Sequence, residues 1–258
     1  MNKLLLLLIP IFINGIAGAQ VLIYGDTRNH PEVHQELIQQ VKDIPLELVF
    51  YTGDMNQKGL TQGEYDSFRA IISPFADRFY PVRGNHEKNL ELYLQNFFVE
   101  GKHSYYAMVH DSLKYIILDS NLDLLPGSHQ YDWLVQELES AEYPIVLLLH
   151  HPIFSSGYHG DELGLQWFIP QLIKKYPVVA VISGHEHSFE HLKAEGVHYF
   201  VSGGGGAPLR ELENKDSRSL FFKMIHHYNV LTKQTKSIKW ECFDLDGSPI
   251  YAAEIPLP

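Results

Sequence analysis

The chain has 258 residues, 45% of them hydrophobic and 12% aromatic, which is ample apolar material for one large folded unit. The formal net charge is −11 and the Lys and Arg residues are scattered, which argues against a surface for duplex nucleic acid. Cys242 is the only cysteine, so no disulfide framework lies within the chain.

Residues 1–19 have the order of a signal peptide. Lys3 supplies a positive start, Leu4 to Ile13 an apolar run, and Ala17-Gly18-Ala19 a small-residue cleavage site before Gln20. The apolar run is about half of the ~20 residues that span a bilayer, so no stable membrane insertion is expected. The expectation is an exported chain, periplasmic or secreted, whose residues 20–258 form a single domain.

Short β-rich runs then alternate with helical patterns. Strands are expected at Val21 to Tyr24, Leu46 to Tyr51, Phe79 to Val82, Tyr115 to Leu118, Ile145 to Leu149 and Val178 to Ile182, several of them apolar throughout. Helices are expected at Pro31 to Val41, Gly63 to Ile72, His129 to Ser140 and Leu163 to Tyr176. Past residue 196 the pattern is strands and turns: Val197 to Val201, Phe221 to Leu231, Ser237 to Phe243 and Pro249 to Ile255, with Asp246-Gly247 marking a hairpin. The predicted fold class is α/β, with two stacked mixed β-sheets flanked by helices. Trp133, Trp167 and Phe221-Phe222 are expected in the core, and His191, His226 and His227 in structural or surface positions.

Five polar clusters follow strand ends: Gly25-Asp26-Thr27-Arg28, Gly53-Asp54, Gly84-Asn85-His86-Glu87, His150-His151-Pro152 and Gly184-His185-Glu186-His187. Ligand sites in open α/β sheets lie beyond the carboxyl ends of strands, so these loops can converge. Any one of them alone is an ordinary turn; five in one chain point to a site. Carboxylate, carboxamide and imidazole donors without thiolate suit Mn, Fe or Zn. His185 and His187 either share a face of an extended segment or, on a tight loop, reach two neighbouring metals.

This ordered set resembles the calcineurin-like metallophosphoesterases. The Asn-His-Glu form and the run Ser202-Gly203-Gly204-Gly205-Gly206-Ala207-Pro208 look like the purple-acid-phosphatase-like branch. The resemblance implies a four-layer sandwich and a metal-dependent phosphoric ester hydrolase with two metal ions, acting on a small phosphorylated substrate. It makes Asp54 the bridge between the metals, gives Asp26 and His187 to the first metal, and gives Asn85, His150 and His185 to the second. It makes His86 the residue that binds phosphate and protonates the leaving group, with a hydroxide held between the metals as nucleophile.

Two positions depart from the pattern. Arg28 stands where many members carry a histidine, and Gln57 stands where purple acid phosphatases carry a metal-binding tyrosine. The first metal is therefore one protein ligand short. His34, on the apolar face of the first helix, is the candidate replacement, with His30 second; a helix-packing role is the other reading of His34. Arg28 either contacts substrate phosphate or pairs with a nearby carboxylate. His151 and His159 fall at the expected pocket rim, where they can touch substrate. Besides a phosphatase, the set fits a phosphodiesterase on a small nucleotide-like diester, or a protein that keeps the metal cage without turnover.

Overall fold

A computed structural model describes residues 19–97 and 103–258; most of the expected signal peptide lies outside the described residues. The first strand, β1 (Gln20–Tyr24), shows how the chain builds its layers. Val21 and Ile23 point into one apolar cluster and Leu22 and Tyr24 into another, because successive side chains of a strand face opposite sides. Both faces are covered, so the strand is an unbroken buried run from Val21 to Tyr24.

The chain alternates next: α1 (Pro31–Val41), β2 (Leu46–Tyr51), α2 (Gln62–Ile71), β3 (Phe79–Pro81) and α3 (Leu90–Asn96). Pro31 opens α1 where its missing N–H costs nothing, and His34, Leu37, Ile38 and Val41 form its buried stripe. A capping box starts α2: the Thr61 hydroxyl accepts from Glu64 N–H, and the Glu64 carboxylate accepts from Thr61 N–H. There follow the hairpin β4 (Tyr106–His110) and β5 (Leu113–Ile117), then α4 (His129–Glu139), β6 (Ile145–Leu148), α5 (Leu163–Gln166), α6 (Ile169–Ile173) and β7 (Val178–Ser183). Six strands close the chain: β8 (Phe189–Ala194), β9 (Val197–Ser202), β10 (Ser219–Lys223), β11 (His227–Lys233), β12 (Ser237–Asp244) and β13 (Pro249–Pro256).

Among the described residues these strands form two mixed sheets, in the orders β13-β12-β11-β1-β2-β3 and β10-β8-β9-β7-β6-β5-β4. Strands β1, β2 and β3 are parallel to one another, as are β5, β6 and β7. The sheets face each other across a shared core that includes Ile23, Phe50, Tyr115, Leu148, Phe200 and Trp240. Aromatic pairs cross the gap: Phe50 meets Tyr115 at 4.7 Å between ring centroids, and Phe200 stacks on Trp240 at 3.8 Å. Helices α1, α2 and α3 cover the outer face of the first sheet, and α4, α5 and α6 that of the second. The fold class is therefore the expected α/β sandwich of two mixed sheets with flanking helices.

The details differ in several places, and helix α3 and strand β8 were not among the expected elements. The expected helix from Leu163 to Tyr176 is two short helices, because Pro170 interrupts the hydrogen-bond ladder; the break leaves Trp167 81% exposed rather than in the core. The run Phe221 to Leu231 is two strands in different sheets, with the chain crossing between them after Lys223. The hairpin strand β4 was not expected. Its turn uses Asp111 and Ser112, both at positive φ (45° and 57°), without the glycine that marks such turns in sequence.

Candidate metal centre

The loops after β1, β2 and β3 come from one sheet, and those after β6 and β7 from the other; all five meet at the same edge of the sandwich. Asp26, Asp54 and His150 offer donor atoms within 4.8 Å of one another, as do His150, His151 and His185. All of Asp26, Asp54 and His150 are buried.

The backbone is bent to aim these groups. Asp26, Asp54 and His185 all have positive φ, at 57°, 60° and 69°. A side chain in that region costs about 1 kcal/mol or more, and such residues concentrate where surrounding contacts hold them for function. Gly53, at φ 104°, takes a conformation that favours glycine. A side chain on Gly84 would collide with the Asp54 backbone, so the loops after β2 and β3 touch only because that residue has none.

Hydrogen bonds set which lone pairs face inward. His150 Nδ1 lies 2.8 Å from the Thr52 carbonyl, which only accepts, so Nδ1 carries the proton and Nε2 a lone pair. That lone pair faces Asn85 Oδ1 at 3.0 Å, Asp54 Oδ1 at 3.3 Å and His185 Nδ1 at 3.3 Å. Acceptors pressed together at this spacing call for a cation between them. Metal–nitrogen bonds of about 2.0–2.1 Å put neighbouring ligand atoms about 3.0 to 3.4 Å apart, which is the spacing found. Asp54, Asn85, His150 and His185 thus fit a metal ion.

The remaining donors form a second group. His187 Nδ1 lies 2.7 Å from the Pro208 carbonyl, so its Nε2 lone pair points to Asp26 Oδ1, 3.7 Å away. Arg28 enters this group, with Nε 3.3 Å from Asp54 Oδ2 and an Nη 3.4 Å from His187 Nε2. Arg28 thus pairs with the Asp54 carboxylate. His34 is not brought in: its Nε2 lies 3.2 Å from the Tyr24 hydroxyl, its ring packs against Phe68, and burial pushes it down to about 3. His30 is turned to Glu32 at 2.9 Å on the surface.

His86 sits beside the two groups. Its Nδ1 donates to the Gln57 carbonyl at 2.7 Å, its backbone N–H donates to Asp54 Oδ1 at 3.0 Å, and its Nε2 lies 3.8 Å from Asp54 Oδ2. His151 is held by Ser120, and its ring meets that of His185 at 4.6 Å. His159 stacks on His185 at 4.3 Å and accepts from Arg210 at 2.8 Å. Arg210 was not singled out from sequence; the available signal was its place two residues past the Gly-rich run.

The electrostatics fit a cation site. Burial, then the Asp54 carboxylate, push Asp26 well above the usual carboxylate range, against the pull of the His185 N–H and of Arg28. Burial holds His150 and His185 well below the usual imidazole range, and His187 near about 3. Neutral imidazoles are the protonation state that metal ligation requires, and a cation beside the crowded carboxyls would favour their ionised form.

The chain is thus a two-sheet α/β sandwich whose strand-end loops gather a candidate set of metal donors. The model of the calcineurin-like phosphoesterase family matches residues 19–189, and the chain belongs to that family. Its relatives include tartrate-resistant acid phosphatase type 5 of Oryctolagus cuniculus, 37% identical over 87 residues, 33% of this chain and 26% of that one. "Probable inactive purple acid phosphatase 1" of Arabidopsis thaliana is 25% identical over 261 residues, 77% of this chain and 43% of that one. The chain thus spans less than half the length of these curated relatives. Among solved structures, purple acid phosphatase PPD1 of yellow lupin superposes with a TM-score of 0.84 at 20% identity, covering 93% of this chain and 54% of that one. The Plasmodium inner-membrane-complex anchor GAP50 gives 0.80 at 16% identity, covering 94% and 90%. At these identities the two structures speak for the fold.

Proposed function

We propose that the protein hydrolyses phosphate esters at a metal held by Asp54, Asn85, His150 and His185. The observation that carries this reading is the His150 lone pair facing Asp54 and Asn85 at 3.0–3.3 Å. The donor types suit Mn, Fe or Zn. When bound, such an ion supplies positive charge for phosphoryl oxygens and an ionisable water. The resemblance implies an ion in each donor group; the group with Asn85, His150 and His185 is the one whose donors are free to take it.

The chain's own residues do the rest. With Nδ1 tied to Gln57, His86 directs Nε2 at the space beside Asp54, where its protonated form donates to the leaving oxygen. Arg28 beside Asp54, Arg210 at the His185 carbonyl and His151 against the His185 ring orient an anionic ester in this reading. In this reading residues 1–19 are a leader that exports the chain, so N-terminal sequencing of the protein from its native host should begin at Gln20. No helix among the described residues is long and apolar enough to cross a membrane.

The test is cleavage of p-nitrophenyl phosphate and bis(p-nitrophenyl) phosphate by protein reconstituted with each metal. Turnover that a chelator abolishes and metal restores supports the reading, and the ratio of the two rates separates monoesterase from diesterase. The second reading, a metal-binding protein without turnover, is favoured by the Arg28–Asp54 pair and by relatives named as probable inactive phosphatases. Protein that holds metal and cleaves neither ester would establish it.

A further inference from the structure

We infer that the centre is mononuclear, with the Arg28 guanidinium taking the place of a second metal ion.

The argument starts from the two donor groups, which share Asp54 through different oxygens. Asp54 Oδ1 faces His150 Nε2, while Oδ2 faces Arg28 Nε at 3.3 Å. The other acceptor of the second group, His187 Nε2, has its lone pair fixed by the Nδ1–Pro208 bond and faces an Arg28 Nη at 3.4 Å. One planar guanidinium therefore spans both atoms that an ion in this position would need. Its N–H groups satisfy them in the way a metal would, and its charge is permanent.

Coulomb's law makes the two occupants exclusive. An ion bonded to Asp54 Oδ2 and His187 Nε2 would lie within contact distance of the same guanidinium, inside a site where like charges are poorly screened. Arg28 cannot lose its charge to relieve this. It also has a reason to stay, since the Asp26 and Asp54 carboxyls beside it are both buried and Asp54 Oδ2 pairs with it.

Neither His34 nor Gln57 compensates. His34 is committed to Tyr24 and Phe68, and Gln57 meets the site through its backbone carbonyl, which accepts from His86. The second group therefore offers Asp26, Asp54 and His187 with a cation already among them, and it does not fit a metal. The first group contains no positive charge and fits one. The metal count does not rest on the hydrolytic reading, because it follows from the donors alone.

The experiment is metal stoichiometry by inductively coupled plasma mass spectrometry after loading with Mn²⁺ and desalting, with electron paramagnetic resonance of the bound Mn²⁺. Wild type is expected to hold one ion per chain with an uncoupled six-line spectrum. Arg28→His removes the blocking charge and adds a ligand, and is expected to hold two ions with a spin-coupled spectrum. His187→Ala is expected to keep one ion, and His185→Ala to lose it; circular dichroism melts check that each variant is folded. Two ions in wild type would overturn the inference, as would a single ion persisting in folded Arg28→His. Assaying ester cleavage on the same samples separates the failures. Two ions with turnover removes the inference and keeps the hydrolase, whereas one ion without turnover does the reverse. No bound ion in wild type removes both.

Discussion

The Glu87 carboxylate accepts the backbone N–H of Asp54 at 3.0 Å, and so ties the loop after β2 to the loop after β3. The same carboxylate accepts from Gly84 at 3.0 Å and Asn56 at 3.1 Å. It is fully buried, and burial, followed by the nearby Asp54, pushes it up to about 8.

Removing that tie is expected to be costly. Glu87→Ala leaves three backbone N–H groups without their acceptor, at about 1–3 kcal/mol for each that water cannot reach. Urea denaturation should show a loss of about 3 kcal/mol or more, and metal affinity should fall with it. Glu87→Gln keeps the shape and one acceptor, and should lose less on both measures.

Substitution of His86 should separate chemistry from binding. His86→Ala is expected to lower kcat by about 10²–10⁴-fold for alkyl phosphates, the range of general acid catalysis, with metal content unchanged. The loss should be smaller for p-nitrophenyl phosphate, whose leaving group needs no proton. Equal losses on both esters would mean that His86 holds the phosphate without donating a proton.

Acid should destabilise the fold through buried imidazoles away from the metal groups. Burial pushes His34 and His191 down to about 3, and His198 and His227 to about 4. A depressed histidine stays neutral in the folded protein while the unfolded chain takes up a proton below about 6.5. Stability is therefore full above that value and falls as pH drops towards 3–4, by about 1.4 kcal/mol per pH unit for each such histidine. His34→Phe should flatten the slope between pH 6 and 4 in urea titrations, and should leave metal content as in wild type. A drop in metal content would return His34 to the ligand set.

Cys242 should be inert in the native state. It is fully buried in the core between the sheets, and burial pushes its thiol well up. A thiol-disulfide dye should react with native protein at the rate of global unfolding, and at once in denaturant.

The loop positions of the site were legible because each stands directly after an apolar strand. Which lone pair faces inward was not. It depends on carbonyls distant in sequence, Thr52 for His150 and Pro208 for His187. Positive φ at Asp26, Asp54 and His185 was equally hidden, since no residue type there demands it. His34 shows the limit of helix periodicity: it identified the buried face of α1, but that face packs on Phe68 and Tyr24 instead of the strand-end loops. Arg210 had only its place beyond the Gly-rich run as a signal, because its approach to His159 comes from a loop without regular structure.

Three of the site loops hang from one sheet and two from the other, so the donor cluster is a stitch across a seam. Its spacing is set by how the two sheets lie against each other, and that is decided deep in the core by pairs such as Phe200 with Trp240. Repacking such a pair lets one sheet slide past its neighbour, and tenths of an ångström there reappear as misaligned donors at the edge. Catalytic defects can therefore arise from apolar substitutions that touch no polar atom. Conversely, an ion held by donors from both sheets would favour the folded sandwich over the unfolded chain, so its melting temperature should report on occupancy of its rim.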